Sequence, residues 1–427
     1  MSSSFALVDC NSFYASCECV FRPELWDKPV GVLSNNDGCF ISRNKALKAL
    51  GLKMGTPLFQ ATELLSKHPV HIFSSNFALY GDMSARVMSL LETYTPHLEI
   101  YSIDEAFLDL SGVAVAQHDR IAYGHAIKKH IRRGTGIPVC VGIGPTKTLA
   151  KLANFSAKAW EKSGGVVDLT APQQREKLMR RVPVGEVWGI GVHITAKLQQ
   201  LGIYTVWDLA QQSPAYIQAQ CSVVVARTVL ELQGIPCLQD TATPQTKQQL
   251  LCSRSFSRRL THYHELAAAL TEFATRVGEK LRQQQGVAGC ISVSIRTNRF
   301  NPVEPYYQRA ASMTLDKPTQ DTRIIVLQAK RLLQEIFKPG YQYHKCGIQL
   351  SAITPANAPN QFELFETADL MQRKENPALM QTLDAINQRF PKALLLATNL
   401  DQRWKSPVKR RSPRYTTRWD ELPIVKA

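Results

Sequence analysis

The sequence predicts a multidomain protein built from α/β and α+β modules, on three observations. The chain has 427 residues, more than one core ordinarily organises, so roughly two to four domains are expected. Up to about residue 170, short apolar runs alternate with helix-spaced ones, the pattern of an α/β layer. After a polar stretch near residue 245 a separate β-α-β-β-α succession begins, the signature of a small α+β module. Apolar residues make up 44% of the chain, as in folded globular proteins.

FALVDC (5–10) is a short apolar run closing on an acid. It reads as a buried strand with Asp9 near its C-terminal end, where α/β sheets place chemistry. KPVGVLSNNDGCFISRN (28–44) reads as a hairpin whose Asn-Asp-Gly turn is expected to put Gly38 at positive φ. NKALKALG (44–51) is a short helix stopped by Gly51. From 79 to 94, Met83, Val87, Leu90, Leu91 and Tyr94 recur three and four apart, one apolar helix face that core packing explains. EIYS and AFLDL are two strands meeting at Asp104-Glu105. IPVCVGIG (137–144) is another buried strand, and PTKTLAKLANFSAKAW after it is a helix carrying Lys147, Lys151 and Lys158.

VWGIGVHITAKLQQLGI (187–203) has the Gly189-x-Gly191 turn of a helix-hairpin-helix. Backbone N–H groups there can hold one DNA phosphate without reading sequence, although a plain helix turn has the same spacing. DTATPQTKQQ (240–249) is a linker. The module beyond it carries Arg254, Ser255, Arg258, Arg259, Arg296 and Arg299 on its strands and turns. After about 351 the periodicity fades and a partly disordered tail is expected.

The formal charge is +16, from 51 Lys and Arg against 35 Asp and Glu. That excess points to a polyanionic partner, nucleic acid or an anionic membrane surface, with solubility alone as the alternative. No run approaches the roughly 20 apolar residues of a membrane span, and the N-terminus lacks signal-peptide character, so a cytoplasmic protein with no membrane association is expected. The ten cysteines form no C-x-x-C pair, which argues against structural zinc and for reduced thiols.

Two adjacent acids inside an apolar stretch, YSIDEAFLDL (101–110), need an explanation. Burying either carboxylate costs several kcal/mol unless a cation sits beside it. Either the pair sits on a solvated turn, or the place wants negative charge. If the 5–10 strand pairs with this hairpin, Asp9 joins Asp104 and Glu105 in a hard-oxygen cluster suited to Mg²⁺. Two such ions about 3.5–4 Å apart clamp the attacking and leaving oxygens of an in-line phosphoryl displacement. Lys48 and Lys158 would then hold a triphosphate tail.

DCNSFYASCE (9–18), VLSNNDGCFISRN (32–44), YSIDEAFLDL, VGIGPTKTLAKLANFSAK (141–158) and VWGIG (187–191) occur in this order. Together they resemble the Y-family translesion DNA polymerases. SNNDGC, CSRSF (252–256) and SPRYTTRW (412–419) resemble the UmuC-type catalytic subunits of bacterial DNA polymerase V within that family. The resemblance implies a right-hand polymerase: palm at 1–12 and 77–168, small fingers at 13–76, a helix-hairpin-helix thumb at 169–239. An α+β little finger at 250–350 and a flexible C-terminal tail at 351–427 complete it.

The same resemblance implies that Asp9, Asp104 and Glu105, with the backbone carbonyl of Cys10, hold two Mg²⁺ ions. Tyr14, beside Phe13, takes the place of an aromatic steric gate beneath the incoming sugar. Many members grip the triphosphate with Tyr and Arg on the fingers helix, where this chain has Lys45 and Lys48. The little-finger residues Arg254, Ser255, Arg258, Arg296 and Arg299 and the thumb Gly189 and Gly191 would contact DNA. Gln361, Leu364 and Phe365 in NQFELFE match a sliding-clamp peptide. Expected partners are primer–template DNA, deoxynucleoside triphosphates, a UmuD′-like dimer, a RecA filament and the clamp. The implied activity is error-prone, non-proofreading synthesis across lesions during the SOS response. A DNA-binding regulatory scaffold and another palm-type nucleotidyltransferase, such as a nucleotide cyclase, are the competing readings.

Overall fold

The computed structural model describes residues 3–238, 246–357, 376–390, 393–394, 404 and 408–422. It divides into two compact units, Met1–Pro244 with Lys409–Ala427, and Gln245–Val408.

The first unit is built on strands β1 (Phe5–Cys10), β2 (Val30–Leu33), β3 (Phe40–Arg43), β4 (His71–Ser74), β5 (Leu98–Ile100), β6 (Glu105–Asp109), β7 (Val139–Gly144) and β8 (Val166–Asp168). The main sheet has the order β5-β6-β1-β7-β8, with β1 antiparallel to both of its neighbours. Every residue of β1 is buried, because helices cover both faces, and this is why the strand reads as a continuous apolar run. Its alternation sorts those faces. Ala6, Val8 and Cys10 join the core formed with helices Phe77–Glu92 and Arg120–Thr135. Phe5 and Leu7 pack with Phe107 and with Ala150 of helix Lys147–Ala159. Asp9 has the parity of Phe5 and Leu7, so the sequence directs it toward the lysine-bearing helix.

That helix lies close on the sheet because Gly142 has no side chain. A Cβ there would stand 2.1 Å from the Asn154 backbone nitrogen and 2.3 Å from the Ala150 carbonyl oxygen. Asn154 Nδ2 ties the same contact, donating to the carbonyls of Leu7 and Cys140 at 3.3 and 2.9 Å.

The smaller sheet has the order β3-β2-β4. The β2–β3 hairpin forms as the sequence predicts, but Gly38 sits at φ −78. Positive φ falls instead on Asn36 and Asp37, at 66 and 50. Short polar side chains tolerate that region, and Asp37 is held there by the Ser74 hydroxyl, which donates to Oδ2 at 2.9 Å. Helix Lys45–Ala49 is capped by Asn44, and Gly51 follows at φ 82. Further on, helices Pro172–Met179, Val192–Gln200, Val206–Ala210, Pro214–Gln220 and Val223–Gln233 share a core. Gly189 has φ 87 and Gly191 caps helix Val192–Gln200, but the element just before them is a single 3₁₀ turn, Val184–Glu186.

The second unit contains β9 (Leu250–Leu260), β10 (Gly286–Arg296), β11 (Gln308–Thr319) and β12 (Tyr343–Pro355) in the order β11-β10-β12-β9. Helices Tyr263–Gln283 and Thr322–Ile336 pack on one face. The expected β-α-β-β-α order is present and ends in a further strand, β12, inserted between β10 and β9. Beyond it, helix Pro377–Arg389 is tied in by Asp384, which accepts from Arg282 Nε and Nη2 at 2.6 and 2.7 Å. Trp404 is buried against Phe256 and Phe273. All ten cysteines are free thiols, and none of the described helices is long and apolar enough to cross a membrane.

Candidate active site

Asp9 of β1 and Glu105 of β6 are direct cross-strand partners. Next to them the Cys10 amide donates to the Asp104 carbonyl at 2.8 Å, so strand pairing alone brings Asp104 to the same place. Asp104 caps a tight turn: the amides of Tyr101 and Ser102 both donate to the Glu105 carbonyl, and the Ser102 hydroxyl donates to Asp104 Oδ1 at 2.7 Å. The two adjacent acids therefore have different surroundings. Asp104 sits on the turn and Glu105 inside the sheet.

Cations answer the buried pair. Lys147, Lys151 and Lys158 are spaced four and seven residues apart, one stripe of their helix. Lys158 Nζ lies 2.5 Å from Asp9 Oδ2, Lys151 Nζ lies 2.9 Å from Glu105 Oε2, and Lys147 Nζ lies 2.5 Å from Glu99 Oε2. Lys151 also sits over the rings of Tyr101 and Trp188, 4.4 and 5.1 Å from their centroids.

Burial pushes the Asp9 carboxyl up to about 7; Lys158 opposes this and a hydrogen bond with Glu105 adds to it. Burial also raises Glu105, but that bond with Asp9 and the Lys151 ammonium hold it below its ordinary value. Among the described residues no group of three or more Asp, Glu, His or Cys side chains has a metal-holding arrangement, the ammoniums of Lys151 and Lys158 each taking one carboxylate oxygen. The donor set nevertheless fits a hard divalent cation: it is all oxygen, and the one lysine on Asp9 does not offset the burial of its carboxyl.

Tyr14, on helix Phe13–Val20, is half-buried and stacks on Tyr80 with centroids 4.5 Å apart, with Phe77 edge-on at 6.0 Å. Phe13 is only 3% exposed and packs into the core. Successive helix residues diverge by about 100°, so Phe13 and Tyr14 face different ways. Lys48 Nζ donates to Ser12 Oγ at 3.0 Å. Burial, then Arg43 and Lys158, lower its pKa, which marks a crowded cationic patch facing Asp9. Lys45 points elsewhere, to an exposed ion pair with Glu161 at 2.5 Å.

The residues expected at DNA divide by strand register. Ser255, Lys345, Arg296 and Gln308 are successive partners across β9, β12, β10 and β11, a polar row crossing the sheet. The adjacent row runs Arg254, Cys346, Ile295 and Arg309, with Cys346 and Ile295 in the helix-covered core. Arg254 thus has the parity of the covered face, and its guanidinium donates to the Ser253 carbonyl. Arg258 is engaged by Glu265 at 2.5 Å, and Arg299 is exposed on the loop after β10. Gln361, Leu364 and Phe365 lie outside the described residues.

Three further cations adjoin the residues expected at the site. Lys151 was visible as one of the helix lysines, and its spacing from Lys158 was the available signal. Lys345 lies on a strand that was not foreseen. Arg43, whose buried Nε has no hydrogen-bond partner among the described residues, ends β3 and lies near enough to Lys48 to lower its pKa.

Residues 8–154 match the model of the impB/mucB/samB family, residues 247–364 that family's C-terminal domain, and residues 377–425 a domain of unknown function. The chain is 45% identical to protein SamB of Salmonella typhimurium over 425 residues, 99% of each. It is 44% identical to protein UmuC of Salmonella typhimurium over 425 residues, 99% of this chain and 100% of that one. DNA polymerase IV of Pelotomaculum thermopropionicum is 27% identical over 400 residues, 91% of this chain and 93% of that one. Among solved structures, a Y-family DNA polymerase chimera of Dbh and Dpo4 aligns with a TM-score of 0.68 at 21% identity, covering 82% of this chain and 99% of that one. The chain belongs to the impB/mucB/samB family, and it is a Y-family translesion DNA polymerase.

Proposed function

We propose that Asp9, Asp104 and Glu105 are the catalytic carboxylates of a template-directed nucleotidyl transfer, in which a primer 3′-OH attacks the α-phosphate of a deoxynucleoside triphosphate and pyrophosphate leaves. The observation that carries this reading is the cross-strand pairing of Asp9 with Glu105 and the Cys10–Asp104 backbone bond beside it. The carboxylates and the Cys10 carbonyl would hold two Mg²⁺ ions, which when bound activate the attacking oxygen and offset charge on the leaving one. Lys158 and Lys48 bind the triphosphate electrostatically; the exposed pairing of Lys45 gives it a lesser part. Lysine acts here as a point charge rather than a bidentate clamp.

Tyr14 is the ring beneath the incoming sugar and leaves no room for a 2′-hydroxyl. Gly189 and Gly191, with the amides that open helix Val192–Gln200, hold a template or primer phosphate. Lys345 joins Ser255, Arg296 and Gln308 in a row that contacts the DNA backbone. Gln361, Leu364 and Phe365 dock on the sliding clamp, and a UmuD′-like dimer and a RecA filament complete the assembly. The place of action is the cytoplasm, at damaged DNA in the nucleoid. Primer extension opposite an abasic site, with clamp and accessory proteins present, is expected to be lost in Asp104→Ala; undiminished extension would overturn the assignment.

A further inference from the structure

The segment from Arg410 to Tyr415 returns to the first unit and is bonded into it. The Ser74 amide donates to the Arg410 carbonyl at 3.0 Å, and the Arg410 amide donates to Ser74 Oγ at 3.2 Å. Asn76 Nδ2 reaches the Ser412 carbonyl, the Ser412 hydroxyl and the Pro413 carbonyl at 3.0, 3.0 and 3.1 Å. Tyr415 stacks on Phe21 with centroids 4.7 Å apart. Asn76 is 1% exposed and Ser412 7%, so these bonds are made out of water's reach, where losing one partner is costly.

What lies under the segment leads to the nucleotide site. The Ser412 hydroxyl donates to Glu18 Oε1 at 3.0 Å. The Tyr80 hydroxyl donates to the same oxygen at 2.6 Å. Glu18 and Tyr80 are both 0% exposed, and it is the Tyr80 ring on which Tyr14 stacks. Asn76 moreover caps helix Phe77–Glu92, the helix that supplies both Phe77 and Tyr80 to the Tyr14 ring. A charged buried acceptor shared by two hydroxyls fixes both donors. A run of contacts thus leads from Ser412 through Glu18 and Tyr80 to the Tyr14 ring, residues far apart in the sequence.

We infer that the C-terminal segment is a positioning element of the sugar-selecting site, setting Tyr14 through Ser412, Glu18 and Tyr80. The inference rests on reading Tyr14 as the steric gate. Ser412 is a positioning residue and touches no substrate. Its removal changes which sugar is accepted more than how fast deoxynucleotides are used.

The test compares kcat/KM for a ribonucleotide and the matching deoxynucleotide in primer extension by the full chain. Tyr14→Ala, Ser412→Ala, Ser412→Thr and Tyr80→Phe are measured side by side. Expected is a discrimination ratio lowered by roughly threefold to tenfold in Ser412→Ala and Tyr80→Phe, retained in Ser412→Thr, and lowered furthest in Tyr14→Ala. If Tyr14→Ala loses discrimination while Ser412→Ala keeps it, the coupling is overturned and the gate reading stands. If Tyr14→Ala keeps discrimination, the gate reading fails and the inference with it. Equal losses for both sugars in Ser412→Ala would reduce the segment to a structural prop and overturn the inference. Fluorotyrosine at position 14, read by fluorine NMR, reports the coupling without turnover: the resonance moves in Ser412→Ala and stays in Ser412→Thr, and an unmoved resonance in Ser412→Ala overturns it.

Discussion

Glu18 gives the structure a pH dependence that can be isolated by one substitution. Its carboxylate is fully buried, and Oε2 has no hydrogen-bond partner among the described residues. Burial pushes its pKa from the ordinary 4.5 to about 6, against the hydroxyls of Tyr80 and Ser412 and the charge of Arg22, which pull it down. Because the folded value is the higher one, the native protein holds a proton that the unfolded chain has already released. The stabilisation is complete below the unfolded value of 4.5 and is lost as pH rises through about 6. The difference is worth about 2 kcal/mol in all, of which about 1 kcal/mol falls between roughly pH 5 and 7.5. Glu18→Gln keeps an acceptor oxygen for both hydroxyls and cannot ionise. Amide exchange at Ala15, whose N–H donates to Ser42 Oγ, and at Ser74 measures opening of this unit without requiring the whole chain to unfold in one step. Across that pH range the wild-type opening free energy should fall by about 1 kcal/mol more than that of Glu18→Gln, roughly fivefold in the opening constant. Groups titrating elsewhere cancel in the difference. Parallel curves for the two proteins would refute the reasoning.

On the proposed role of Asp9 as a Mg²⁺ ligand, a proton on that carboxyl, which burial holds above its ordinary range, would compete with the cation. Thermal melting should therefore show Mg²⁺ stabilising the protein more at pH 8 than at pH 6, and Asp9→Asn should remove that difference; an equal effect at both pH values would contradict it. Gly142→Ala places a methyl group against backbone atoms of helix Lys147–Ala159, at 2.1 and 2.3 Å, so the helix must move. The expected cost is about 1–3 kcal/mol or more, and an unchanged melting temperature would reject the close-approach argument. In the second unit, Lys345→Ala and Arg296→Ala should each lower the salt dependence of primer–template binding by about one counterion. Arg254→Ala, in the row that includes buried Cys346, should leave the slope unchanged; fluorescence anisotropy against salt concentration would detect the opposite ranking.

The layout of the main sheet was legible because strand physics is local. β1 and β7 are buried on both faces and read as apolar runs. The acid at the end of one and the acids at the start of β6 then meet by register alone. The lysines were legible as helix residues but not as ion-pair partners, since pairing depends on which helix face meets the sheet. That is decided by Gly142, whose meaning appears only when Asn154 and Ala150 stand above it. The turn after β2 was placed correctly but given the wrong positive-φ residue, because Gly is the default and the Ser74–Asp37 bond that favours Asp37 is 37 residues distant.

The C-terminal segment was the least legible part, for a related reason. Residues 410–415 form no helix or strand of their own; their order comes from bonds to other elements. A segment of eight basic and three acidic residues in its last 28 looks like a solvated tail by composition, and composition carries no information about Asn76 or Glu18. Those two are ordinary polar residues in the sequence, one at a helix start and one in an otherwise apolar helix. The single oddity available to a sequence reader was Glu18 itself. It shares helix Phe13–Val20 with buried Phe13, Ala15, Cys17 and Cys19, and a carboxylate so placed needs donors supplied from somewhere. The structure supplies one from helix Phe77–Glu92 and the other from the far end of the chain, which is why a buried acid without a local partner is the better guide to long-range order here than any charge run.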